Sequence, residues 1–130
     1  MKPHELQRKW TEEVWNCRND DFVHRHMGQP CQIKGLPPSA CNPEGFIEFR
    51  NNLQAGISEM HIEVLESLEQ GDKSLGICRV TGRHTATGEA VDFCFAYSSR
   101  IEADNVVDFL TMLLQAKVVS EGSLERGLLP

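Results

Sequence analysis

The stretch Asp72–Ile101, DKSLGICRVTGRHTATGEAVDFCFAYSSRI, constrains the fold more than any other part of this chain. Within Val91–Ile101 the odd positions are Val91, Phe93, Phe95, Tyr97, Ser99 and Ile101, and the even ones are Asp92, Cys94, Ala96, Ser98 and Arg100. Side chains alternate between the two faces of a strand, so one face is bulky and the other small or polar. That is the pattern of a half-buried strand. Leu75–His84 precedes it as a partner, joined through Thr85-Ala86-Thr87-Gly88, whose glycine supplies the positive φ a short hairpin loop needs.

Such a hairpin needs a hydrophobic partner layer, and 130 residues is one ordinary domain with enough chain to build it. The net charge is −6, with 13 Lys and Arg against 19 Asp and Glu spread along the chain. No basic stripe exists for nucleic acid, and anionic partners are disfavoured, whereas small neutral or cationic ones are compatible. Five cysteines (Cys17, Cys31, Cys41, Cys78, Cys94) form no disulfide framework, and Met1–Lys9 is too polar for a signal peptide, which predicts a cytoplasmic protein with reduced thiols. No apolar run approaches the roughly 20 residues of a membrane span.

Before the hairpin, Leu6, Trp10, Val14 and Cys17 form one stripe of a helix from Pro3 to about Arg18. Asn19-Asp20-Asp21 breaks it and caps a short second helix carrying Phe22 and Val23. Met27–Pro43 holds four prolines and two glycines and reads as a loop. A third helix, Gly45–Ala55, buries Phe46, Phe49, Leu53 and Ile47, and Gly56 ends it. Alternation returns over Ser58–Glu69, with Met60, Ile62, Val64 and Leu68 on one face. Val106–Leu114 fits a helix or a strand buried on both faces. We take it as a strand, because Ile101–Asn105 reads as a tight turn and a fourth strand covers a sheet edge. The tail after Val119 is expected to hold one helical turn and an exposed end. Three helices followed by four antiparallel strands predict an α+β domain over residues 1–130, with the helices closing one face of the sheet.

Several segments, in this order and spacing, resemble the SnoaL-like polyketide cyclase branch of the nuclear transport factor 2-like superfamily. They are Val14-Trp15-Asn16, DDFVHRHM, PEGFIEF, ISEMHIEVLES, the TGRH of Thr81–His84, Arg100-Ile101-Glu102 and the final GLLP. The resemblance implies three N-terminal helices packed in a strongly curved, mostly antiparallel sheet, forming a cone with an internal pocket. It also implies a small-molecule ligand, no cofactor, and a homodimer through the outer sheet face. The pocket lining expected on this basis is Trp10, Val14, Phe49, Phe93, Phe95, Phe109 and Thr111.

The same resemblance places Tyr97 where the cyclases carry a pocket histidine and the ketosteroid isomerases an oxyanion-binding acid. A phenol there donates a hydrogen bond to a developing enolate, or else it is a core aromatic whose hydroxyl is satisfied. Thr111 stands where the cyclases carry an acid/base aspartate, and a threonine holds no such proton at neutral pH. Asp108 lies on the opposite strand face if Thr111 points inward. His26 and His84 are the candidate bases, against the plainer reading of solvated histidines. His24, His26, Cys31 and Cys41 fit no common zinc spacing, so no metal is expected, and Cys94 reads as a packing residue. Two functions of different class stay open. One is a cofactor-free cyclase or isomerase acting on an apolar or carbonyl-bearing substrate, with Tyr97 as electrophile and a histidine as base. The other is a non-catalytic ligand-binding or dimerisation module of the same fold.

Overall fold

The structure, a computed structural model, describes residues 1–118, so the expected helical turn after Val119 lies outside the described residues. Helix α1, Pro3–Trp10, opens with Pro3 in the first turn, where a missing N–H costs nothing, and runs directly into a π-helical segment, Thr11–Asn16. Leu6, Trp10 and Val14 are buried as the stripe requires, but Cys17 is exposed. The wider π turn is the reason: with Cys17 N donating to Glu12 O at 2.8 Å, the 3.6-residue period fails after Val14, and Trp15 packs against the core instead. Helix α2, Asp20–His26, is capped by Asn19, whose side chain accepts from Phe22 N. Helix α3, Pro43–Gly56, is capped by Asn42 in the same way.

Met27–Pro43 is not a continuous loop. Met27–Lys34 forms strand β1, and Pro38–Cys41 makes one 3₁₀ turn. Pro30 and Gly28 count against a central strand, but β1 is a sheet edge, where a missing donor is tolerated, and its pairing is irregular between Met27 and Gln32, across Pro30. It runs parallel to the last strand, so the sheet is mixed rather than wholly antiparallel. Strands β2 (Ile57–Gln70), β3 (Lys73–His84), β4 (Ala90–Glu102) and β5 (Asn105–Val118) follow as an antiparallel meander, and the order across the sheet is β1-β5-β4-β3-β2. The segment 106–114 is therefore strand throughout.

The helices lie on one sheet face, where Leu6, Trp10, Val23 and Phe46 meet Cys78, Val80, Tyr97, Ile101, Val106 and Phe109 in one core. The opposite edge, β2, is closed by a side chain. Asn16 donates Nδ2 to Ile62 O at 2.8 Å and accepts Ile62 N at 2.9 Å, occupying the backbone groups a further strand would use. Among the described residues, no helix lies on the other sheet face. There Leu68, which a register shift between Val64 and Glu66 turns away from the face of Met60, Ile62 and Val64, stands in register with Leu75, Ser98 and Leu110 across four strands, with Glu66, Ile77, Ala96 and Met112 in the next row. Leu68, Leu75, Leu110 and Met112 are all exposed. No helix among the described residues is long and apolar enough to cross a membrane.

Candidate functional site

Between the helices and the inner sheet face lies a cavity of about 260 Å³. The alternation read from the sequence is what points Phe93, Phe95 and Tyr97 of β4 into it, with Phe109, Thr111 and Leu113 of β5 beside them in register. From the helical side come Trp10, Thr11 and Trp15, and from α3 Phe46, Phe49 and Leu53. Every Phe, Trp and Tyr of the chain except Phe22 lines this one space. Among the described lining residues none is acidic, basic or histidine. The rings contact one another in edge-to-face and stacked pairs, such as Trp10 on Phe46 at 5.3 Å and Phe95 on Tyr97 at 5.7 Å.

Tyr97 sits at the centre of the sheet, in register with Gly76 on β3 and Thr111 on β5. Gly76 is needed for local packing. A Cβ there would press on the Gln7 side chain, which spans from Ser74 Oγ (2.7 Å to Oε1) to the carbonyl of Tyr97 (3.1 Å from Nε2). The Tyr97 hydroxyl lies 2.6 Å from Thr11 Oγ1 and 3.0 Å from Gln7 O, and Thr11 Oγ1 is itself 3.1 Å from Gln7 O. These three oxygens share two protons, because a carbonyl only accepts. Either Tyr97 donates to Gln7 O and receives from Thr11, or Thr11 donates to Gln7 O and receives from Tyr97. In both arrangements the phenolic proton is held within the protein. Burial also pushes the Tyr97 phenol well above its usual range, so it stays protonated.

The other sequence-derived candidates are scattered. Trp10, Phe49, Phe93, Phe95, Phe109 and Thr111 line the cavity, whereas Val14 is fully buried in the core behind it. His26 closes α2, with Nδ1 2.8 Å from the Asp104 carbonyl and its ring 4.5 Å from Phe22, outside the cavity wall. His84 is exposed at the end of β3 beside Thr87. Asp108 is paired in register with Arg100 on the face away from Thr111. Cys31 and Cys78 are buried thiols, each pushed up to about 12 by desolvation. Among the described residues, no three His, Cys, Asp or Glu side chains cluster as a metal site.

Sequence reasoning missed several wall residues. Trp15 is hidden by the π turn, and Leu36 by the reading of its surroundings as loop. Gly35 brings Leu36 to the wall: its φ is +82°, and a Cβ there would collide with the Thr111 carbonyl oxygen, so only glycine lets this crossing lie so close to β5. Thr11 and Gln7 had a weak signal, two polar residues four apart on the flank of an apolar helical stripe.

Among solved structures, the chain superimposes on IdmH, a candidate polyketide cyclase from Streptomyces antibioticus, with a TM-score of 0.76 at 18% identity, over 87% of this chain and 92% of that one. The chain has the SnoaL-like polyketide cyclase fold. A candidate SnoaL-like polyketide cyclase from a Jannaschia species shares it with a TM-score of 0.75 at 15% identity, over 97% of this chain and 92% of its own. AclR, a candidate hydroxylase from Streptomyces galilaeus, does so at 0.73 and 17%, over 97% and 96%. No protein-family model and no curated protein matches the chain. At these identities the SnoaL-like fold is what is shared, and chemistry has to be argued from the cavity.

Proposed function

We propose that this protein binds a compact, mostly apolar small molecule in the cavity and that its wall residues hold the ligand rather than react with it. The observation that carries this reading is the lining itself, aromatic and aliphatic with no described acid, base or histidine. General acid–base chemistry needs a group able to gain or lose a proton within hydrogen-bond reach of the substrate. Tyr97 enters as wall, because its proton is already committed to Thr11 or Gln7. His26 and His84 stand outside the lining and take no part. At about 260 Å³ the space is near the lower end of ligand pockets, roughly 300–1,000 Å³, yet larger than the ~150 Å³ engineered cavity that takes benzene. A ligand of one or two fused rings suits it, and the cyclase names of the structural neighbours favour a carbonyl-bearing one.

The same reading includes a homodimer through the outer sheet face. Its support is the exposed row of Leu68, Leu75 and Leu110 with Met112 beside it, an apolar surface of the kind that marks interfaces.

Ligand binding is tested with N-phenyl-1-naphthylamine, a neutral dye that brightens in apolar surroundings. Both tryptophans of the chain line the cavity, so energy transfer from Trp10 and Trp15 reports the dye in this space. The expected result is saturable micromolar binding that V80F abolishes by filling the cavity from its buried floor, with thermal stability retained. Absence of saturable binding to the wild-type protein overturns the reading.

A further inference from the structure

Three hydroxyls line the described cavity wall, those of Thr11, Tyr97 and Thr111, beside the indole N–H groups of Trp10 and Trp15. Thr11 and Tyr97 satisfy each other and the Gln7 carbonyl. Trp10 Nε1 has no partner and is shut off from solvent. Thr111 is different. It lines the cavity between Phe109 and Leu113 on the same face of β5, it is half-buried, and its hydroxyl bonds to nothing among the described residues. Nor is that hydroxyl among the unpartnered atoms shut off from solvent.

Resting on the binding reading above, we propose that Thr111 is the polar anchor of the cavity and selects a neutral ligand carrying an oxygen function, such as a ketone or an ester, over both the hydrocarbon and the carboxylate of the same shape. A hydroxyl donates one hydrogen bond, which a carbonyl oxygen accepts. An aromatic ketone seated on the ring wall with its oxygen at Thr111 satisfies its only polar atom. The isosteric alkene leaves the hydroxyl unbonded. A carboxylate brings a full charge into a space whose ring faces are electron-rich and whose described lining offers no cation. Such a site rejects the anion.

The experiment uses three isosteric probes, 2-acetylnaphthalene, 2-isopropenylnaphthalene and 2-naphthoate, measured by equilibrium dialysis against the wild-type protein, T111V and T111S. The quantity read is the ratio of ketone to alkene affinity, so differences in hydrophobicity cancel between variants. The expected result is that T111V lowers this ratio by about 3- to 10-fold, the worth of one net hydrogen bond, while T111S keeps it. Naphthoate is expected to bind at least about 100-fold more weakly than the ketone. An unchanged ratio in T111V overturns Thr111 as anchor while leaving the binding reading intact. Naphthoate binding as tightly as the ketone overturns the selection against anions. If none of the three probes binds the wild-type protein, the binding reading itself fails, and this proposal with it.

Discussion

The hydroxyl of Tyr97 separates two accounts of the cavity in one substitution. If it is a structural hydrogen bond, Y97F removes one bond from the Thr11–Tyr97–Gln7 triad and leaves nothing stranded, since Thr11 Oγ1 is already 3.1 Å from Gln7 O and can donate there. Gln7 O also keeps a backbone donor, the N–H of Thr11. The loss is then one net buried hydrogen bond, about 1 kcal/mol, rather than the larger cost of an orphaned group. For 130 residues the unfolding entropy is about 0.27 kcal/mol/K, so the expected fall in Tm is about 4 °C. T11V should lose a similar amount, for the mirror-image reason. The double variant should lose about the sum, roughly 2 kcal/mol, because the three oxygens share two hydrogen bonds, each single variant keeps one of them, and the double variant keeps neither. Affinity for 2-acetylnaphthalene should stay within about twofold throughout. Differential scanning calorimetry and dialysis read both quantities. The reasoning is refuted if Y97F leaves Tm unchanged while ketone affinity drops about tenfold, which is what a free donor facing the ligand would give.

Three further outcomes follow from the geometry. G88A should cost about 1 kcal/mol in denaturant melts, from φ +76° alone with open space around it, whereas G35A adds a collision with the Thr111 carbonyl oxygen to its φ of +82° and should cost several times more. Cys31 and Cys78, with thiols near 12, should resist a thiol reagent at pH 8 until the protein unfolds, while exposed Cys17 reacts. Because the folded state holds those two protons more tightly than the unfolded chain, with its thiols near 8.5, their stabilising contribution is complete below pH ~8.5. It is lost as pH rises toward 12, at about 1.4 kcal/mol per thiol per pH unit in urea titrations. Sedimentation at micromolar concentration should give about twice 14.7 kDa, and L75D with L110D should return the mass of one chain; a wild-type monomer counts against the sheet-face dimer.

The fold was legible wherever one periodicity governed a whole segment. Strand β4 turns to the core the odd-numbered face read from its sequence, and in the less regular β3 the two-residue alternation holds from Lys73 to Val80 and then lapses. Strand β5 was ambiguous by pattern, because Leu110, Met112 and Leu114 make its outer face as apolar as its inner one. The tight turn read at Ile101–Asn105 and the edge a further strand would cover decided it, and the structure holds Ala103 and Asp104 of that turn at positive φ. What failed were the places where a local departure serves a neighbour. The π turn after Trp10 carries no compositional mark, yet it exchanges Cys17 for Trp15 at the core. Strand β1 hides behind Pro30 because an edge in parallel pairing needs few of its own donors.

The site shows the same division at finer grain. Alternation assigned Tyr97 to the inner surface and the family resemblance assigned Thr111, and the two are in-register neighbours on adjacent strands. Partnership was not readable, because the group that engages Tyr97 comes from Thr11, 86 residues away, and depends on how α1 crosses the sheet. That one long-range bond changes the chemistry of the cavity. These two positions are where the resemblance puts an electrophile and an acid/base group, and in this chain one has its proton tied into the helix layer while the other is a hydroxyl that holds its proton at any physiological pH. The polar chemistry of the described wall therefore reduces to one free hydroxyl and indole N–H groups in an aromatic shell, an arrangement able to orient a ligand oxygen but with no group to take up or supply a proton at neutral pH.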